Sequence, residues 1–111
     1  MTPQELANQL PYKDAIQSLI DKSIDLDNEV KRVKALDAPQ DEDYNKVKSA
    51  WALYAYAYGN LLYWADHLKE DLSQDITADI ASEAAKNLRD IAYTNFQEKL
   101  KYFEIFLDVK F

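Results

Sequence analysis

The sequence predicts an all-α protein, an elongated antiparallel three-helix bundle with a short additional N-terminal helix. Three observations carry this. The 111 residues hold one glycine and three prolines, too little turn chemistry for a fold built from many short strands. Residues that favour helices fill the rest of the chain. Three long segments place apolar residues at alternating steps of three and four, the period of one helix face. A four-helix bundle, with residues 3–9 and a break near Asn95 supplying the extra pieces, is the alternative architecture.

The first element is short. Thr2, Pro3 and Glu5 form a capping box with proline at the first helical position, which starts a helix over residues 3–9. Pro11 then restarts or kinks the chain. The first long helix is predicted from Tyr12 to Leu36. Ile16, Leu19, Leu26, Val30 and Val33 lie on one seam, and Ser23 takes the missing place. Ala38, Pro39, Gln40 and Asp41 make the break, with Asp41 as the expected cap of the next helix because its carboxylate can accept from free amides of the first turn.

The second long helix is predicted from Glu42 to Leu72. Its seam of Tyr44, Val47, Trp51, Tyr54, Tyr58, Leu61, Ala65, Leu68 and Leu72 follows the 4-3 spacing without a gap. Ser73, Gln74 and Asp75 end it, and Asp75 or Thr77 caps the third long helix. That helix carries Ile80, Ala84, Leu88, Ile91, Ala92, Phe96, Leu100, Phe103 and Leu107. Short connections force consecutive helices to run antiparallel, with shallow crossing angles near ~20°. A single domain over residues 1–111 is expected, long enough to bury a core without metal or disulfide staples.

Within the second long helix, Ser49 to Ala65 is a run of seventeen residues without a charge, in a chain that is 30% charged overall. Such a helix is apolar nearly all the way round, so either every side is buried or one face waits for a partner. Tyr56 and Tyr63, with Ala52 and Gly59 beside them, fall farthest from the Trp51, Tyr58 and Ala65 seam and should point away from the core. Two tyrosines doubled across a two-fold axis supply about 600 to 1,000 Å², below the ~1,200 Å² of a stable interface, so they can centre a homodimer without completing one. Gly59 costs about 1 kcal/mol against alanine in a helix interior, and close helix approach is the expected reason for it.

The C-terminal stretch YFEIFLDVKF is dense in apolar residues. Phe103, Leu107 and Phe111 continue the helical stripe and join the candidate partner-binding set, docking either on the bundle itself or on a second protein. Acidic residues recur every four positions in Asp21, Asp25 and Glu29 and again in Asp71, Asp75, Asp79 and Glu83. Four helical residues rise about 6 Å, comparable to the phosphate repeat of a nucleic-acid strand, so the second group is a candidate acidic face. Interspersed Lys22, Lys31, Arg32, Lys86 and Arg89 weaken it as a pure phosphate mimic.

Composition narrows the function classes. Twenty acids against thirteen bases leave a net charge of −7, which disfavours direct binding to nucleic acid or to an anionic membrane surface. The uncharged run extends about 26 Å, short of the ~30 Å hydrocarbon core, and no secretory leader is expected in the first twenty residues. Cysteine is absent, in keeping with a cytoplasmic protein. His67, with Asp66 and Glu70 near it, is the single histidine and is read as an exposed residue favoured by the helix dipole rather than as a metal ligand.

No glycine-rich phosphate loop, nucleophile and base pair, or Glu-x-x-Glu metal site stands in the sequence, so neither catalysis nor a cofactor is expected. A helical bundle of this size and charge is the form taken by many small inhibitors, immunity factors and phage or mobile-element accessory proteins, an association of form alone. The expected function is a non-enzymatic binder, inhibitor or accessory protein that acts on another protein by surface burial, as a homodimer or small oligomer. The alternatives are an acidic mimic that blocks a nucleic-acid-binding protein and a small-ligand sensor with an aromatic pocket lined by Trp51, Trp64 and neighbouring tyrosines.

Overall fold

The computed structural model describes the backbone of residues 1–110 and the side chains of all of these except 71 and 102–110. It is an all-α bundle measuring 59 × 20 × 17 Å. Four helices follow one another: α1 (Pro3–Ala7), α2 (Tyr12–Lys34), α3 (Asp41–His67) and α4 (Ala78–Lys110), with a 3-10 turn at Leu68–Asp71 between the last two. Three long helices and one short one correspond to the predicted architecture. α4 is continuous through Asn95, so the extra break of the four-helix alternative is absent.

Thr2 caps α1 as its sequence requires, its hydroxyl oxygen accepting from the Glu5 N–H at 3.1 Å. α1 is shorter than expected, ending at Ala7, and its one buried side chain, Leu6, joins the core against α4 and the start of α2. α2 and α3 pack along their lengths, and α3 also packs on α4. The antiparallel sense of α2 and α3 is pinned at both ends. Tyr12, at the start of α2, meets Trp64 near the end of α3 edge to face at 6.2 Å. At the other end Arg32 reaches Asp43 at 2.9 Å.

The α2 seam is as predicted: Leu19, Ser23, Leu26, Val30 and Val33 are buried and Ile16 is half-buried against them. Several boundaries need correction. The cap of α3 is Gln40 rather than Asp41, and the carboxylate that serves this end is Asp43, which accepts from the Gln40 N–H at 2.9 Å. Asp41 is the first helical residue, and α2 stops at Lys34 rather than at Leu36. Regular α-helix ends at His67, so the tighter 3-10 turn rotates Leu72 out of the seam and leaves it exposed. Thr77 caps α4, its hydroxyl oxygen accepting from Ile80 N–H at 3.3 Å.

The pattern on α4 is shifted by a fraction of a turn from the predicted one. Ala81, Ala84, Ala85, Leu88, Ala92 and Lys99 are buried, whereas Ile91 is exposed and Phe96 and Leu100 are half-buried. Leu88, Ala92, Asn95 and Lys99 step by four, three and four, so a helix of this period puts all four on one side. Asn95 and Lys99 are polar, which hides that side from a hydrophobic reading. Both are met by partners: Tyr54 donates to Asn95 Oδ1 at 2.6 Å, and Lys99 Nζ donates to both Asp27 oxygens at 2.7 and 2.6 Å.

Candidate functional site

The two sides of α3 differ in what they meet. On the inner side Val47, Tyr54, Ala57, Leu61 and Ala65 are buried. Trp51 and Tyr58 flank them and close on Phe96 of α4, with ring centroids 6.0 and 4.5 Å apart, the second pair nearly parallel. Trp51 also lies 5.7 Å from Tyr54. These aromatic side chains pack ring on ring. Burial raises the Tyr54 phenol well above its ordinary value, with Tyr58, Glu98 and Asp27 adding to the effect. The Tyr58 phenol is raised by burial and then by Tyr93.

On the outer side Tyr56 is 79% exposed and Tyr63 is 52% exposed. Ala52 and Gly59 are exposed between and beside them. These four positions step by four, three and four, so they form one line up the helix, opposite the Tyr54 and Leu61 side. Leu53, also exposed, flanks the line. Tyr63 is held in place by its own helix: it stacks on His67 at 4.1 Å and meets Trp64 edge to face at 5.3 Å. His67 is half-buried rather than fully exposed, with Nδ1 2.7 Å from the Tyr63 carbonyl oxygen.

Gly59 corrects an expectation. A Cβ added there would meet nothing within 4 Å, so no neighbouring helix of this chain requires the glycine. The helix-propensity cost of Gly59 is therefore borne without any intramolecular packing reason.

Of the other predicted site residues, Asp75, Asp79 and Glu83 are exposed around the start of α4. The side chains of Asp71, Phe103 and Leu107, and the whole of Phe111, lie outside the described residues. On α2, Asp21 accepts from the Gln17 side chain, and the charge of Glu29 is offset by its ion pair with Arg32. Arg32 joins Asp43 and Glu29 in a charge cluster between α2 and the start of α3. The Gln40 N–H and then the Arg32 guanidinium hold the Asp43 carboxyl below its ordinary value, and Asp43 followed by Glu29 raises Arg32.

Among the described residues no three His, Asp or Glu side chains come together in a way that could hold a metal ion, and no helix is long and apolar enough to cross a membrane. A surface groove runs between α2 and α3 and is lined by Lys22, Asp25, Glu29, Lys46, Ser49 and Leu53. Most of its lining residues are charged or polar, and their aliphatic stems form much of the wall. Among the described residues, the outer line of α3 is the one place where large aromatic side chains stand in water along an uncharged stretch of helix, which makes it the candidate contact surface. No protein-family model, curated protein or solved structure matches this chain.

Proposed function

We propose that this protein is a non-enzymatic protein-binding module whose contact surface is the outer face of α3. The observation that carries the reading is the exposure of Tyr56 and Tyr63, at 79% and 52%, on a helix whose central seventeen residues bear no charge. Tyrosine gives large contact area at low rotameric cost and keeps a hydroxyl for the wet rim, so exposed pairs of it are effective anchors. Burial of these rings supplies the driving force, with no chemical step.

A photo-crosslinking side chain placed at position 56, 63 or 97 in the native cell tests this. Gln97 is an exposed control on α4. Adducts from positions 56 and 63 that are missing from position 97 are the expected result. Equal adducts at all three, or none, would remove the reading. A second reading rests on the exposed Asp75, Asp79 and Glu83, as part of an acidic face that occupies the nucleic-acid groove of a partner. Capture by that face weakens steeply with salt, whereas ring burial does not. Reversal of those three acids to lysine separates the two.

A further inference from the structure

We infer that the outer face of α3 binds a second copy of this chain, helix against helix and antiparallel, about a two-fold axis that passes between positions 57 and 58. The inference rests on the reading of that face as a contact surface and adds the identity of the partner. Along the exposed line the residues are Ser49, Ala52, Tyr56, Gly59, Tyr63 and Asp66, all within α3. Their steps of three, four, three, four and three read the same in both directions. Turning one helix around therefore places Tyr56 on Gly59, Tyr63 on Ala52 and Ser49 on Asp66 of the other.

Each of those pairings is complementary. The two large rings fall on the two smallest positions of the line, and each ends where the partner offers room. At the outer ends a serine hydroxyl meets a carboxylate that accepts it, since Asp66 engages Arg89 through Oδ1 alone. A two-fold contact must be self-complementary in this sense, because whenever one residue of a protomer meets another residue of its mate, the reciprocal pair forms as well and each pairing occurs twice. The parallel alternative sets Tyr56 on Tyr56 and Gly59 on Gly59, a clash beside a hole. Gly59 acquires the reason that the isolated chain lacks: open space within 4 Å is where the partner's Tyr56 ring lies.

Charge agrees with this placement. Each protomer carries a net charge of −7, so two copies repel over most of their surfaces, and the uncharged run from Ser49 to Ala65 is centred on the proposed axis. With 79% and 52% of Tyr56 and Tyr63 still exposed, the tyrosines contribute about 400 to 650 Å² across both protomers, so exposed Leu53 and the backbone around Gly59 must also be covered to approach the ~1,200 Å² that stable association needs. An interface at that lower bound depends on every ring.

The test is sedimentation equilibrium of the full chain over a concentration series, with helicity measured on each variant as a folding control. Wild type is expected to reach the dimer mass. Tyr56→Gly and Gly59→Tyr are each expected to weaken self-association at least tenfold, and an equimolar mixture of the two restores it because large again meets small. Orientation is read with Ser49→Cys and Asp66→Cys, which report cleanly because the chain has no cysteine. A short bifunctional maleimide is expected to link the mixture of the two variants and neither alone.

Links within each single variant on its own would establish a parallel contact and overturn the proposal. So would a monomeric mass for wild type at every concentration. In that last case adducts of position 56 with a different protein in the cell would leave the broader binding role standing, so the two failures are told apart.

Discussion

Tyr54 and Tyr56 are two residues apart on α3 and identical in chemistry, yet one is fully buried and the other 79% exposed. Two residues of α-helix turn through about 200°, so neighbours in sequence look in opposite directions. The inner tyrosine gives its hydroxyl to Asn95 and its ring to the core. The outer one belongs to a face that neither α2 nor α4 covers. Hydropathy alone cannot separate them, because the run they share is uncharged on every side. A helix in a three-helix bundle has neighbours over only part of its circumference, and the remainder of an all-round apolar helix is left facing water.

The contrast between the faces is broken most severely from the inside. Leu61→Ala is expected to cost about 2 to 5 kcal/mol, as loss of a fully buried side chain leaves a cavity; the denaturant midpoint falls while the slope holds. Tyr54→Phe keeps the ring and loses one hydrogen bond, for about 0.5 to 1.5 kcal/mol. That variant also sharpens the alkaline behaviour. Because burial raises the Tyr54 phenol in the folded state, folding favours its protonated form, a contribution fully present below about pH 10 and lost as pH rises through the raised folded value. Denaturation midpoints taken across that range should fall less for Tyr54→Phe than for wild type.

On the outer face the signs change. Gly59→Ala is expected to stabilise the folded monomer by about 0.8 to 1 kcal/mol, since helix propensity improves and the added methyl meets no packed neighbour within 4 Å. Measured by thermal melting at low concentration, a loss instead of a gain would show that Gly59 serves its own bundle. Tyr56→Ser should move stability by no more than ~0.5 kcal/mol while abolishing contacts made through this face.

The smallest effect lies at the N-terminus of α3. The Asp43 carboxyl is lowered mainly by the Gln40 N–H and then by Arg32, so folding favours its ionised form. That contribution is present above about pH 4 and disappears as pH falls through the lowered folded value. In a carboxyl titration followed by NMR, Arg32→Gln should raise the Asp43 midpoint only partway toward the ordinary value, because the larger backbone contribution remains.

Helix count, order, antiparallel sense and the seams of α2 and α3 are all written in the local sequence. Spacing along one helix determines which side chains share a face, and short connections leave consecutive helices no other direction. The outward placement of Tyr56 and Tyr63 follows from the same arithmetic. What the tertiary structure decided was everything that depends on one helix sliding against another: Asn95 under Tyr54, Lys99 against Asp27, Ile91 turned outward, and the 3-10 turn that releases Leu72. Axial register and rotation between helices come from side chains of separate segments meeting at a distance, and no periodicity within a single segment encodes them. The same holds for Gly59, whose empty surroundings could be known only once every other helix had its place.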